Sequence, residues 1–257
     1  MSAWQVAGFL LCVVAATCAQ CLTGFALVLV LLGLTSVFAL GPLPDAVNVA
    51  TVLALANAAV ALRGRHRSLD WSVLRPTAIG TLFGVAAGVA LLVWLSANVV
   101  VVLRLLLGLV VIACAVIVLR RTEPLAQPSS SASFHVTGVI SGLLGGLFST
   151  GGPPLVYQFY RQPMTVDAVR DALVALLALG SVLRLAMVVP TGQFSLQAVW
   201  LSALAVPVVM AVTWWLRVHP PGWRRETVLK LVCLLLVLTG VALIVPAVRT
   251  LAGGALA

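Results

Sequence analysis

Charge is what this sequence has least of. Only 8% of its 257 residues are Asp, Glu, Lys or Arg, against 62% hydrophobic. A soluble domain carries about 25% charged and about 45–50% apolar residues. So few charges cannot cover a water-exposed surface, which excludes a soluble domain and implies a polytopic, all-α membrane protein. Acids are the scarcest. All six (Asp45, Asp70, Glu123, Asp167, Asp171 and Glu226) lie in loops or at the ends of apolar stretches. No carboxylate stands inside a span, which argues against the intramembrane acid on which proton- and sodium-coupled transporters often rely. Residues 1–10 contain no Lys or Arg, so a cleavable leader with a positive n-region is not expected.

Cysteine and histidine chemistry is also thin. The five cysteines (Cys12, Cys18, Cys21, Cys114 and Cys233) all sit in apolar stretches, where a thiol behaves as a small hydrophobe. Cys18 and Cys21 have the CxxC spacing of redox and zinc sites. No second pair and no nearby His completes a metal set, so neither metal nor cofactor is expected. His66 and His219 fall in basic loops and His135 near a hairpin end. The glycine-rich stretch near residue 150 lacks the Gly-Lys-Ser/Thr of a phosphate loop.

Long apolar runs are abundant. A span takes about 20 mostly apolar residues, and six segments fit one crossing each: 46–62, 76–95, 99–119, 172–189, 196–216 and 228–248. Pro76 is expected to open one of them, where a first-turn proline costs no hydrogen bond. Two stretches fit less simply. Residues 4–38 are interrupted around Gln20, Thr23, Gly24 and Phe25; residues 134–160 are interrupted from Gly145 to the adjacent prolines Pro153 and Pro154. Each reads as two half-helices meeting at a bend; in the second, the adjacent prolines remove donors and clash with the preceding turn. Tryptophans near the span ends (Trp4, Trp71, Trp94, Trp214, Trp215 and Trp223) fit an interfacial belt.

The chain also repeats itself. Val102-Leu-Arg-Leu105 matches Val228-Leu-Lys-Leu231, Thr23-Gly24 matches Thr150-Gly151, and Ser68-Leu69 matches Ser195-Leu196, all at an offset of 126 or 127 residues. The cations then choose the topology. If both broken stretches crossed once, seven cations would face six, with no bias between sides. If each returns as a hairpin, or crosses twice, twelve (Arg63, Arg65, Arg67, Arg75, Arg120, Arg121, Arg161, Arg170, Arg217, Arg224, Arg225 and Lys230) share one side and only Arg249 faces them. The positive-inside rule selects the hairpins. Three crossings per half make the halves inverted. The expected organisation is a first repeat over 1–121, a cytoplasmic linker over 122–133 and a second repeat over 134–257. Basic loops would be cytoplasmic and both termini outside, in a bacterial inner membrane.

Two arginines remain inside spans, Arg104 and Arg184, each roughly 9 Å from its outer helix end at about 1.5 Å per residue. Snorkelling to outer headgroups is the plain reading of such residues. The sharper one is a fixed positive charge holding an anion between the halves. The breaks supply the rest of an anion site. A half-helix that starts at membrane depth offers free N–H groups and a positive dipole end. Gly151 and Gly152 allow close approach beside Pro153, Ser149 and Thr150 offer hydroxyls, and Thr23 and Gly24 are the counterparts in the first half. Asn57 joins the substrate-binding set as the repeat equivalent of Arg184, ahead of Gln20 and Gln158. Gly142 and Gly145 read instead as helix-packing glycines.

Gly142-Leu-Leu-Gly-Gly-Leu-Phe-Ser-Thr-Gly-Gly-Pro-Pro-Leu155 resembles the second-repeat signature of the TauE/SafE family, the sulfite exporter or TSUP permeases. Leu22-Thr-Gly-Phe-Ala-Leu27, Asp70-Trp71, Leu74-Arg-Pro76 and Leu103-Arg-Leu-Leu-Leu-Gly108 agree with it over essentially the whole chain. Thr23-Gly24-Phe25 stands where a fuller glycine cluster is usual. The residues themselves point to an anion transporter working by alternating access; the resemblance implies a sulfur-containing or organic anion such as sulfite or a sulfonate, moved outward. Moving one negative charge outward across 100 mV gains about 2.3 kcal/mol, so export needs no coupling carboxylate. The expected partners are the small anion and the lipid bilayer, with no nucleic acid; a homo-oligomer is compatible with the sequence. The rivals are a thiol–disulfide carrier using Cys18 and Cys21, a hydrolase using Ser149, and a non-transporting subunit of a larger complex.

Overall fold

The computed structural model describes residues 3–63, 70–96 and 125–219, together with positions 105, 106, 108, 109, 112, 113, 116, 234, 237, 240, 241, 244, 245 and 248. Among them the fold is all-helical: α1 (Ala3–Thr23), α2 (Leu27–Val37), α3 (Leu43–Ala61), α4 (Trp71–Ser96), α5 (Ser131–Phe148), α6 (Gly152–Tyr160), α7 (Val166–Val188) and α8 (Leu196–Val218). Six of these, α1, α3, α4, α5, α7 and α8, are long and apolar enough to cross a membrane. The chain is a polytopic membrane protein. Apart from those scattered positions, the spans expected over 99–119 and 228–248 lie outside the described residues, as do Arg104, Arg249 and residues 122–124 of the linker.

Both interruptions fall where Gly and Pro place them. α1 stops at Thr23 and α2 starts at Leu27, with Gly24 turning at φ +85°. The chain then doubles back, bringing Leu40 against Gly8. α2 is buried over nearly its whole length, as expected of a helix apolar on every face. α5 stops at Phe148, and α6 begins at Gly152 with Pro153 and Pro154 in its first turn, where their missing N–H groups are tolerated. α6 returns alongside α5. The Leu125 N–H donates to the Arg161 carbonyl at 2.7 Å, Gln162 and Ser129 exchange two hydrogen bonds, and Phe134 meets Phe159 edge-on at 5.7 Å. The two ends of this hairpin therefore lie together.

Several helices start earlier than the sequence expectation, α3 at Leu43 rather than 46 and α7 at Val166 rather than 172 among them. α4 starts at Trp71, so Pro76 lies inside the helix rather than opening it. Asp70 explains the earlier start: its Oδ1 accepts from the Ser72 N–H at 2.9 Å and from the Ser72 hydroxyl at 2.7 Å, capping the helix ahead of the proline.

Glycines hold the second hairpin to the first half. Gly80, Gly84 and Gly88 of α4 face Gly138, Gly142 and Gly146 of α5, with the backbones in direct contact. Thr77, Thr81 and Val85 abut Gly138, Gly142 and Gly146 in turn, so the two helices run parallel. A methyl group at any of the six would run into the facing backbone, which is the close approach that small residues permit between helices in a membrane. Gly142 is thus a packing glycine, as expected. Gly145 instead lies off the seam, beside Gly151.

α3 and α8 also run parallel. At one end Asp45 accepts from the Ser195 hydroxyl at 2.6 Å. At the other, Arg217 donates to the carbonyls of Val60 and Arg63 at 2.8 and 2.6 Å.

Candidate functional site

The two helix breaks meet. Phe25 of the first packs on Gly152 of the second, where a methyl group would stand 3.1 Å from the ring-bearing Cβ. Around this contact is a cavity of about 20 Å³, room for about one water molecule. Gln20, Phe25, Leu27 and Val28 line it from the first break, Ser149, Thr150 and Gly152 from the second, and Ser181 from α7. The N-terminal, electropositive ends of two half-helices therefore converge on one small cavity with a mixed polar and apolar lining. Pro153 and Pro154 carry no N–H, so in α6 the donors of the first turn narrow to the glycine backbone. A second cavity of about 20 Å³, lined by Ser141, Gly145, Ser149, Gly151 and Ser181, flanks Ser149 on its other side.

Behind Ser149 stands Arg184, 2% exposed. Its Nε donates to the Gly146 carbonyl at 3.1 Å, and its Nη1 donates to Asn48 Oδ1 and to Thr51 Oγ1, each at 3.0 Å. Thr51 Oγ1 in turn lies 2.9 Å from Ser149 Oγ. The guanidinium is therefore turned inward and does not snorkel. All three of its partners are neutral. A charge removed from water is normally paired, and among the described residues this one meets neutral acceptors alone.

Ser149 sits at φ +58°, a left-handed conformation that costs a non-glycine residue roughly 1–2 kcal/mol. Such strain persists only where the surroundings impose it. Here the helix-ending bond from the Ser149 N–H to the Gly145 carbonyl (2.8 Å) and the contact with Thr51 do so. The neighbouring Thr150 Oγ1 is buried without any hydrogen-bond partner among the described residues. An unsatisfied buried hydroxyl costs about 1–3 kcal/mol, and this one belongs to a residue lining the cavity between the breaks.

Ser149, Thr150, Gly151 and Gly152 are thus brought together, with Pro153 directly behind and Arg184 one hydrogen-bonded hydroxyl away. Thr23 and Gly24 are placed differently. Thr23 Oγ1 is spent on the Ala19 carbonyl at 2.7 Å, and Gly24 is packed under Arg170, whose Cγ would lie 2.9 Å from an added methyl group. They shape the turn, while Gln20 and Phe25 present the first break to the cavity. Asn57 is not beside Arg184 either. Its Nδ2 donates to Thr213 Oγ1 at 2.8 Å and lies 3.7 Å from Cys21 Sγ.

Asn57 lines a separate, larger cavity of about 280 Å³, with Gln20, Cys21, Asp167, Arg170, Asp171, Thr213 and Arg217. Gln20 and Val174 line both this vestibule and the small cavity between the breaks, so the two adjoin. Arg170 reaches from α7 to the first break and donates to the Cys21 carbonyl at 2.7 Å. Two hydrogen bonds tie down the opposite end of α3. Besides the Asp45–Ser195 bond, Asn48 Nδ2 donates to the Gln193 carbonyl at 2.8 Å. Cys18 and Cys21 are free thiols.

Asn48, Thr51, Arg170 and Asp45 were not singled out by the sequence reading. Three of them carried a signal. Asp45, Asn48 and Thr51 recur every third residue in α3, which puts them on one helical face.

The chain is similar to known proteins over most of its length. The family model described as "Sulfite exporter TauE/SafE" matches residues 9–243. A protein of Cupriavidus necator named "Probable sulfite/organosulfonate exporter TauE" is 37% identical over 234 residues, 91% of each chain. No solved structure matches.

Proposed function

The chain belongs to the TauE/SafE family of sulfite exporters, which are membrane transporters and not enzymes, and from that premise we propose that it exports a small sulfur-containing anion, sulfite or an organosulfonate, by alternating access. The observation that carries the reading is the convergence of two half-helix N-termini and two hydroxyls on a buried cavity backed by Arg184, a guanidinium without a carboxylate partner. Hydroxyls, backbone N–H groups and a guanidinium are the donors an oxyanion needs.

In this reading the vestibule is the cytoplasmic entrance, and the substrate set is Thr23, Gly24, Asn57, Ser149, Thr150, Gly151, Gly152, Pro153 and Arg184, with Asn57 acting at the entrance and Thr23 and Gly24 acting through the shape of the first break. The vestibule has room for a small anion; the cavity between the breaks has not, so loading requires the breaks to part. An anion that reaches Ser149 competes for the Arg184 Nη1 donor now held by Asn48 and Thr51. Asn48 also holds the Gln193 carbonyl, so freeing it loosens the far end where Asp45 and Ser195 are joined. Inverted halves make the two ends interchange. With the interior negative by about 100 mV, outward passage of one negative charge is favoured nearly 50-fold.

The test is counterflow in proteoliposomes loaded in turn with sulfite, a sulfonate and a small carboxylate. Exchange of the sulfur oxyanions in preference to the carboxylate is expected. Exchange of none of them by the purified protein would sink the proposal and leave the role of a non-transporting subunit.

A further inference from the structure

On the flank of the bundle, α3 and α8 leave a groove of about 660 Å³, lined by Ala59, Arg63, Met210, Trp214, Arg217 and Val218. Its walls are apolar and exposed: Trp214 is 60% accessible, Val218 52% and Met210 43%. In a membrane-spanning bundle such walls meet acyl chains. Its head is cationic. Arg217 spends two N–H groups on the carbonyls of Val60 and Arg63, capping the electronegative C-terminus of α3. A guanidinium has five N–H groups, so three of them remain. The Arg63 side chain makes no hydrogen bond or ion pair among the described residues, and no acid lines the groove. The sequence adds Arg65, Arg67, Arg224 and Arg225 within eight residues of the two groove arginines.

Two guanidiniums at the head of an apolar slot, with no acid among the described residues of its lining, match one kind of occupant. We infer that this groove is a binding site for an anionic phospholipid, its phosphate diester held between Arg63 and Arg217 and one acyl chain lying along Met210 and Trp214. A zwitterionic headgroup would bring its own cation against the two arginines, so net negative charge is what the groove selects. Small Ala59 leaves the depth that the chain needs. The inference does not depend on what the protein transports. It bears on transport only through Arg217, which lines both this groove and the vestibule, so that the headgroup would sit at the rim of the entrance.

The test uses the full-length protein in mixed vesicles of phosphatidylcholine and phosphatidylglycerol, extracted gently and examined by native mass spectrometry for retained lipid. Wild type should keep phosphatidylglycerol in excess of its share of the vesicle. Arg63→Gln should lower that excess about five-fold, the effect of one arginine near an anionic surface, whereas Arg63→Lys should restore most of it, which a folding defect would not allow. Arg161→Gln, at a half-buried arginine stacked on Tyr157, should change nothing. Equal retention of the two lipids by wild type, an unaltered ratio in Arg63→Gln, or displacement of the lipid by millimolar inorganic phosphate would each overturn the assignment.

Discussion

The two helix breaks do the same mechanical task with opposite economies of hydrogen bonding. At the first, one side chain closes the gap: Gln20 Nε2 donates to the Gly24 carbonyl at 3.1 Å, and its Oε1 accepts from the Leu27 N–H at 2.9 Å. Gly24 makes the turn without strain, and Thr23 is tied to its own helix. At the second, a serine rather than a glycine takes the left-handed position, two prolines remove N–H donors, Thr150 keeps an unused hydroxyl, and Ser149 connects through Thr51 to Arg184. Irregular backbone at membrane depth must be buried in protein or line a cavity. The first break meets that demand from within, and the second leaves polarity unspent. On the proposed function the difference says where to look for the cargo: the first break closes its hydrogen bonds on itself, and the second leaves donors over.

The most severe way to break this contrast is to remove the charge behind the second break. Arg184→Ala should cut counterflow by more than about 100-fold at equal protein in the membrane, since a buried charge that loses its partner costs about 3–5 kcal/mol. A bound anion would be that unpartnered charge. Unimpaired exchange in this variant would reduce Arg184 to a structural donor to Gly146, Asn48 and Thr51. Next comes the first break. Gln20→Ala orphans one buried N–H and one buried carbonyl, each costing about 1–3 kcal/mol, so its thermal unfolding midpoint in detergent should fall clearly. A Gln20→Ala protein as stable as wild type would mean that the gap is closed by something else.

Thr150→Val sharpens the contrast from the other side. The swap keeps the shape and removes a hydroxyl that has no partner. Stability should therefore hold or rise. Counterflow should nevertheless fall about ten-fold or more, because a hydrogen bond to a charged ligand contributes about 1.5–3 kcal/mol. Loss of stability with full transport would reverse the assignment of the two breaks.

Much of this arrangement can be read from the sequence, and the part that cannot has a physical reason. Gly24, Gly151 and the Pro153-Pro154 pair declare the breaks because backbone conformation is a local property. Arg184 declares itself because a charge in an apolar span is expensive. What it touches is another matter. Asn48 and Thr51 lie 136 and 133 residues away from it in the chain, and no local pattern says which polar stripe faces which arginine. Asn57 shows the limit of reasoning from repeats. The 127-residue offset pairs it with Arg184 in sequence, yet the fold gives it Thr213 and the vestibule instead. Correspondence of positions between halves does not fix the partner across the interface. Gln20 was ranked low because its work is done against its own chain, four and seven residues on, in a turn whose geometry the sequence does not specify.

The smallest expected effect isolates the strain at Ser149. Ser149→Ala and Ser149→Gly both delete the hydroxyl that meets Thr51, so both should lower counterflow by a similar few-fold factor. They differ in the backbone. Alanine keeps a Cβ at φ +58°, whereas glycine adopts that conformation freely. In the interior of a helix glycine is about 1 kcal/mol worse than alanine. Here the order should invert, with Ser149→Gly the more stable of the two by about 1 kcal/mol, the penalty of one left-handed L-residue. Measured as the difference between two unfolding midpoints, the inversion reads the backbone separately from the side chain. If alanine proves the more stable, Ser149 is not held in a left-handed conformation, and the second break loses the strain that sets it apart from Gly24.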